Sequence, residues 1–210
     1  MEYETEEQQV EALKKWWAEN GRSVILGVGI GVAAIGGWQL WNKHTISQSR
    51  QASDGYEQTI RAMSGEGDVG ELAKKVRDDH DDSLYASLAA MAAARGYVEQ
   101  GKLEEAGKEL SWTASNAPDK QVALIARIRL ARVQSALGKP EEALKTLPKK
   151  APESFTALVE EVRGDLYVAT GDTDKALTAY QAALDSGQNV SNSQVLTMKI
   201  NELATAADAS

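Results

Sequence analysis

Hydrophobic and polar residues follow different rhythms in successive stretches of the chain. Residues 6–19 (EEQQVEALKKWWAE) place Val10, Leu13 and Trp17 at i, i+3 and i+7. That spacing predicts a short amphipathic helix lying on a membrane surface. Asn20-Gly21 is expected to break it, because glycine readily takes the left-handed cap geometry. From Ser23 to Trp41 the chain reads SVILGVGIGVAAIGGWQLW, 19 residues without a charge. Beyond residue 42 Ala, Leu, Glu, Lys, Gln and Arg dominate, and no useful run alternates with period two. These residues lose least on entering a helix, so the rest of the chain is expected to be all-α.

The uncharged segment predicts a transmembrane helix. At about 1.5 Å per residue it spans roughly 28 Å, close to the hydrocarbon thickness of a bilayer. It has no polar face, so its surroundings must be apolar on all sides. Trp16 and Trp17 precede it, and Trp38 and Trp41 mark its end. Such amphipathic rings favour the headgroup level and act as interface anchors. A cleaved signal peptide fits less well. The apolar run is longer than a usual signal core, bulky Trp and Lys43 follow it, and the nearest small-x-small site, Ser47-Gln48-Ser49, is displaced by polar residues. Lys14, Lys15 and Arg22 on one side outnumber Lys43 and Arg50 on the other. This favours a cytoplasmic N-terminus and an exported C-terminal domain.

Five of the 17 Gly lie inside the span. Gly27 and Gly31 form G-x-x-x-G, while Gly29, Ala33 and Gly37 form a second ladder of small residues. Both let another helix backbone come close in lipid, whether from a second copy or from another membrane protein. Gly29-x-Gly31-x-x-Ala34 loosely matches a dinucleotide fingerprint, but it lacks the strand that must precede it.

Internal similarity sets the architecture of the remainder. GKLEEAGKEL (101–110), GKPEEALKTL (138–147) and GDTDKALTAY (171–180) align without gaps. The shared Gly101, Gly138 and Gly171 are each followed five residues later by Ala106, Ala143 and Ala176, then by Leu110, Leu147 and Tyr180. Ala94, Ala131 and Gly164 stand seven before each glycine. This looks like the tetratricopeptide pattern, in which a helix, a tight turn at Gly and a second helix repeat with a period near 34. The predicted fold is an α-solenoid with repeats at about 87–120, 124–156 and 157–190. A more divergent helix pair is expected at 45–63 and 70–79. A capping helix at 193–205 would use Val195, Leu196, Ile200 and Leu203, with a connecting loop at 187–193. The domain plan is therefore a tail (1–22), a membrane helix (23–41) and a repeat domain (42–210).

Charge and chemistry narrow the function. The formal net charge is -8, which argues against a dedicated nucleic-acid binder. No cysteine is present, removing disulfides, thiolate zinc sites and a cysteine nucleophile. No Ser/His/Asp constellation, phosphate loop or H-E-x-x-H motif occurs, so no catalytic residue, metal site or cofactor is expected. Asp78-Asp79-His80-Asp81-Asp82 lacks the alternating spacing and glycine of a calcium loop and reads as a solvated linker. The repeats instead suggest a polypeptide-binding groove lined by the first helix of each pair. Placing the copies at 87, 124 and 157 puts Leu88, Met91, Arg95, Ile125, Ile128, Arg132, Leu158, Glu161 and Asp165 there. Of these, Leu88, Ile125 and Leu158 are read mainly as inter-helix core. The Lys and Asn pattern that clamps a free C-terminal carboxylate elsewhere in this superfamily is not visible.

Taken together, the acidic tail, QVEALKKWWAENG (9–21), the Gly-rich span ending in WQLWNKH (38–44), RLARVQ (129–134), EALKTL (142–147) and the terminal MKINEL (198–203) resemble the YfgM-like ancillary subunits of the bacterial Sec translocon. The resemblance covers nearly the whole chain. It implies a single-pass inner-membrane protein with a periplasmic tetratricopeptide-like domain. It further implies association with the SecYEG channel and with PpiD, a membrane-anchored parvulin-type chaperone, in assisting newly exported polypeptides. No family catalytic residues exist to transfer. Three alternatives stay open at this point: a membrane-tethered scaffold for envelope assembly, a stress-signalling adaptor working through its cytoplasmic tail, and an enzyme using the Asp78–Asp82 cluster.

Overall fold

The computed structural model describes residues 6–65, 67–186 and 193–208. The first residues of the tail, and the loop expected at 187–193 except for Ser193, lie outside the described residues. Among the described residues every regular element is an α-helix. In chain order these are α1 (Glu6–Ala62), α2 (Val69–Asp79), α3 (Leu84–Glu99), α4 (Leu103–Asn116), α5 (Lys120–Ala136), α6 (Pro140–Thr146), α7 (Glu153–Thr170), α8 (Thr173–Asp185) and α9 (Ser193–Asp208). Contacts divide the chain into two units, Met1–Arg50 and Gln51–Ser210.

The described part of the first unit is residues 6–50 of helix α1, and the helix corrects two expectations. No break occurs at Asn20-Gly21, and no separate helix begins near residue 45. Glycine inside a helix costs about 1 kcal/mol relative to alanine, so something local must offset it. The Asn20 side-chain amide donates to the Trp16 carbonyl at 3.1 Å. The Trp17 indole lies so close that a Cβ at Gly21 would stand 3.2 Å from the ring. Gly21 therefore seats Trp17 instead of capping a helix. Along the span Ile25, Leu26, Val28, Ile30, Val32 and Ile35 are all exposed. The helix contains a segment long and apolar enough to cross a membrane, none of it buried within the chain. In lipid a continuous helix also satisfies every backbone N–H and C=O internally, a strong reason for α1 to run through its glycines.

In the second unit the helices pack in sequence: α2 on α3, α3 on α4, α4 on α5, α5 on α6 and α7, α7 on α8, and α8 on α9. Gly101, Gly138 and Gly171 have φ of +74°, +75° and +79°, a left-handed conformation that favours glycine. Behind them the N–H groups of Lys102, Lys139 and Asp172 donate to the carbonyls of Tyr97, Gln134 and Tyr167 at 2.8, 2.9 and 2.9 Å. This is one helix-ending motif used three times, satisfying carbonyls that a helix C-terminus would otherwise leave unpaired.

The core follows the same order. One cluster joins Ala62, Val69, Ala73, Val76, Ala86, Ala89 and Ala93. The next joins Ala94, Ala106, Leu110, Leu130 and Val133. A third holds Leu124, Ile128, Ala131, Ala143, Leu147, Val159, Val162 and Leu166. The last holds Ala176, Tyr180, Ala183 and Leu196. Each is shared by helices adjacent in sequence, the mark of a solenoid whose repeats bury their faces only against neighbours. The small and large residues of each copy also match in size. Ala94 shares its cluster with Leu110 and Ala131 shares its cluster with Leu147. In the third copy the larger Tyr180 fits only because Gly164 faces it; a Cβ there would lie 2.4 Å from the ring.

Candidate functional site

The first helices of two successive pairs, α3 and α5, enclose a cavity of about 270 Å³. Met91, Ala94, Arg95 and Val98 come from α3, Leu110 from α4, and Arg129, Arg132 and Val133 from α5. Val133 and Leu110 are buried and form part of the floor. The three arginines are exposed. The site is thus an apolar depression rimmed by guanidinium groups. Arg95 Nε donates to Glu99 Oε1 at 2.8 Å, a pair with both side chains more than half exposed.

The structure brings together Met91, Arg95 and Arg132 of the residues expected in a groove. Ile128 is a correction. It is 2% exposed and packs with Leu124, Ala131, Leu147 and Leu166. The cause is the shortness of α6, which has seven residues. Beyond it α7 reaches α5 directly, so α5 must bury one face toward α6 and α7 and another toward α4, where Leu130 and Val133 share a cluster with Leu110 and with Ala94 of α3. Ile128 serves the former. Arg129 takes the exposed position instead, on a stripe with Gln121, Ile125, Arg132 and Ala136. That polar-to-small stripe at helical spacing was the available signal for Arg129.

Glu161 and Asp165 are engaged elsewhere. Lys199 of α9 places Nζ 2.6 Å from Asp165 Oδ1 and 3.6 Å from Glu161 Oε1. The Tyr180 hydroxyl donates to Asp165 Oδ1 at 2.6 Å, and Lys199 also lies over the Tyr180 ring at 5.2 Å. Burial and the Asp165 carboxylate raise the Tyr180 hydroxyl above its ordinary value, so it remains a donor. The end of the groove that carries acid is therefore filled by the chain's own last helix. Leu196 is fully buried, Ile200 and Leu203 pack beside it, and Val195 points outward.

A second polar link ties α2 to α4. Arg77 pairs with Glu109 while its guanidinium lies over Trp112 at 5.3 Å. Burial pushes the Glu109 carboxyl up, and Arg77 opposes the shift. Near the acidic run, Asp78 pairs with Lys74, and His80 closes α2 by donating its N–H to the Val76 carbonyl. Among the described residues no group of three or more His, Asp or Glu is placed to hold a metal ion.

In the span, a Cβ at Gly27, Gly29, Gly31 or Gly37 would meet nothing within 4 Å. Ala33 is exposed too. Trp16, Trp17, Trp38 and Trp41 are 49%, 50%, 66% and 73% exposed.

Comparison with known proteins agrees with this architecture. The family described as "Tetratricopeptide repeat-like domain" matches residues 14–205. The chain is similar to a protein of Escherichia coli (strain K12) named "Ancillary SecYEG translocon subunit", with 35% identity over 203 residues, 96% of this chain and 98% of that one. A Haemophilus influenzae protein of the same name is 32% identical, covering 94% of this chain and 97% of its own. One from Neisseria gonorrhoeae is 23% identical over 94% of this chain and 97% of its own. No solved structure matches the chain.

Proposed function

This chain belongs to the tetratricopeptide repeat-like family of ancillary SecYEG translocon subunits, and on that premise we propose that it holds a polypeptide-binding domain at the exit of the Sec channel. Its span sits in the inner membrane with the N-terminus in the cytoplasm and the repeats in the periplasm. The greater Lys and Arg count before the span supports that orientation. The observation that carries the reading is that similarity to the translocon subunits runs over span and repeats together.

The mechanism is tethering. The span docks against SecYEG, or against the membrane-anchored chaperone PpiD working beside it. The open faces of Gly27, Gly29, Gly31, Ala33 and Gly37 provide room for a partner backbone. Anchoring raises the effective concentration of the repeat domain around an emerging chain without demanding tight binding. The α3–α5 cavity, with Met91, Arg95, Arg129 and Arg132, receives segments of newly exported polypeptide and delays their misassociation. No covalent step is involved.

Deleting residues 1–41 and measuring co-purification with SecYEG from solubilised membranes tests this. Co-purification is expected to fall to background. A fragment that still co-purified fully would remove the span from the docking mechanism.

A further inference from the structure

We infer that the α3–α5 cavity selects acidic polypeptide segments in which carboxylates flank a single apolar side chain. This rests on the cavity being the polypeptide-binding face, and it adds the chemistry of the ligand. The chain has 31 acidic against 23 basic residues, yet three arginines converge on this cavity. Only Arg95 has a carboxylate partner among the described residues, Glu99 four positions on, and an ion pair so exposed is weak and readily exchanged. The side chains of Arg129 and Arg132 make no ion pair or hydrogen bond with the described residues. Arg127 is exposed without a partner as well, but it points to another side of α5. What distinguishes the other two is their convergence with Arg95 over an apolar floor.

The floor decides between anions. Inorganic phosphate would leave Met91, Val98, Leu110 and Val133 uncovered. A volume of about 270 Å³ takes one or two side chains and is too small for the paired acyl chains of a phospholipid. An Asp- or Glu-rich segment with one Leu, Met or Phe satisfies both parts. The apolar side chain covers the floor while its neighbours reach the rim, where each guanidinium can grip a carboxylate through two parallel N–H groups. The same charge arrangement speeds encounter and makes it sensitive to salt.

The test uses the full chain in zwitterionic nanodiscs and a short fluorescent peptide carrying several Glu around one Leu. Anisotropy is compared with a Glu-to-Gln peptide and a Leu-to-Ser peptide. The acidic peptide is expected to bind about tenfold more tightly than the Gln version, and its affinity to fall with rising salt. Arg129→Gln with Arg132→Gln should cost about tenfold, with the unfolding midpoint unchanged. Arg129→Glu with Arg132→Glu should reverse the preference toward a Lys-containing peptide. Equal binding of Glu and Gln peptides, or unchanged binding by the arginine variants, overturns the proposal. So does arginine-dependent displacement by short-chain phosphatidylglycerol stronger than by the acidic peptide. Photocrosslinking of exported chains from position 91 separates the two claims. If crosslinks persist while charge preference is absent, the chemistry fails and the groove stands; if both are absent, the groove reading fails too.

Discussion

In the repeat domain a methyl group at Gly164 would come within 2.4 Å of the Tyr180 ring, and at Gly55 within 2.6 Å of Val76. In the span a methyl group at Gly27, Gly29, Gly31, Gly36 or Gly37 would meet nothing within 4 Å. The same residue type solves opposite problems. Inside the repeats its smallness is already used by a neighbour in the same chain. Along the span it creates a groove that nothing among the described residues fills. Small residues with an internal partner contribute to folding; those without one have the spacing that lets a second helix approach closely in lipid, which is the use proposed for them.

The largest expected effect breaks the first half of that contrast. Gly164→Val should destabilise the repeat domain by about 3 kcal/mol, at the upper end of overpacking, because Tyr180 is buried and held by Asp165. Chemical denaturation checks it. Gly164→Ala should cost less, and adding Tyr180→Leu, which recreates the pairing of the other two copies, should regain about half of the Gly164→Ala loss, whereas no recovery would refute the size-matching account.

The second half predicts an opposite pattern. Gly27→Leu with Gly31→Leu should leave the repeat domain's unfolding midpoint unchanged. Recovery of SecYEG with the tagged protein should fall about tenfold, equivalent to about 1.4 kcal/mol. A shifted midpoint with unchanged recovery would mean that these glycines are packed within the chain after all.

Legibility differed between regions for physical reasons. The span was visible because 19 uncharged residues allow few alternatives, and the turns because left-handed φ demands glycine at 101, 138 and 171. The continuity of α1 through Asn20-Gly21 was hidden, since the Trp17 ring over Gly21 is a contact rather than a propensity. Ile128 was misplaced because its orientation depends on α6 being short enough for α7 to touch α5, and repeat alignment carries no helix length. Glu161 and Asp165 looked available because their partner, Lys199, lies over thirty residues away in sequence.

A smaller effect sharpens the view of the groove's closed end. Lys199→Ala should cost about 1 kcal/mol, through loss of its charge-assisted contacts with Asp165 and Glu161. Hydrogen exchange should show α9 opening more often while α3 and α5 are unaffected; uniform deprotection would contradict a local lock.

The smallest effect concerns pH. Burial raises the Glu109 carboxyl above its ordinary 4.5, with Arg77 opposing the shift. An acid with a raised folded pKa stays protonated longer in the folded state. The stability linked to it is full below the unfolded value and is lost as pH rises through the folded value. Relative to Glu109→Gln, the wild type should therefore lose stability from about pH 4.5 upward, and a gain over that window would contradict the burial argument. Asp172, whose pKa is lowered chiefly by the hydrogen bond from Lys175, should act with the opposite sign: its contribution is present above its unfolded value and fades in acid.

The most direct test of the whole account is single-site photocrosslinking in intact cells carrying a stalled exported chain. Probes would replace Met91 or Arg132 in the cavity, and Lys108 or Gln181 on the exposed surfaces of the second helices α4 and α8. The account predicts adducts to the stalled chain from positions 91 and 132 that disappear when the span is replaced by an unrelated apolar helix. Equal adducts from 108 and 181, or adducts that survive the replacement, would contradict it.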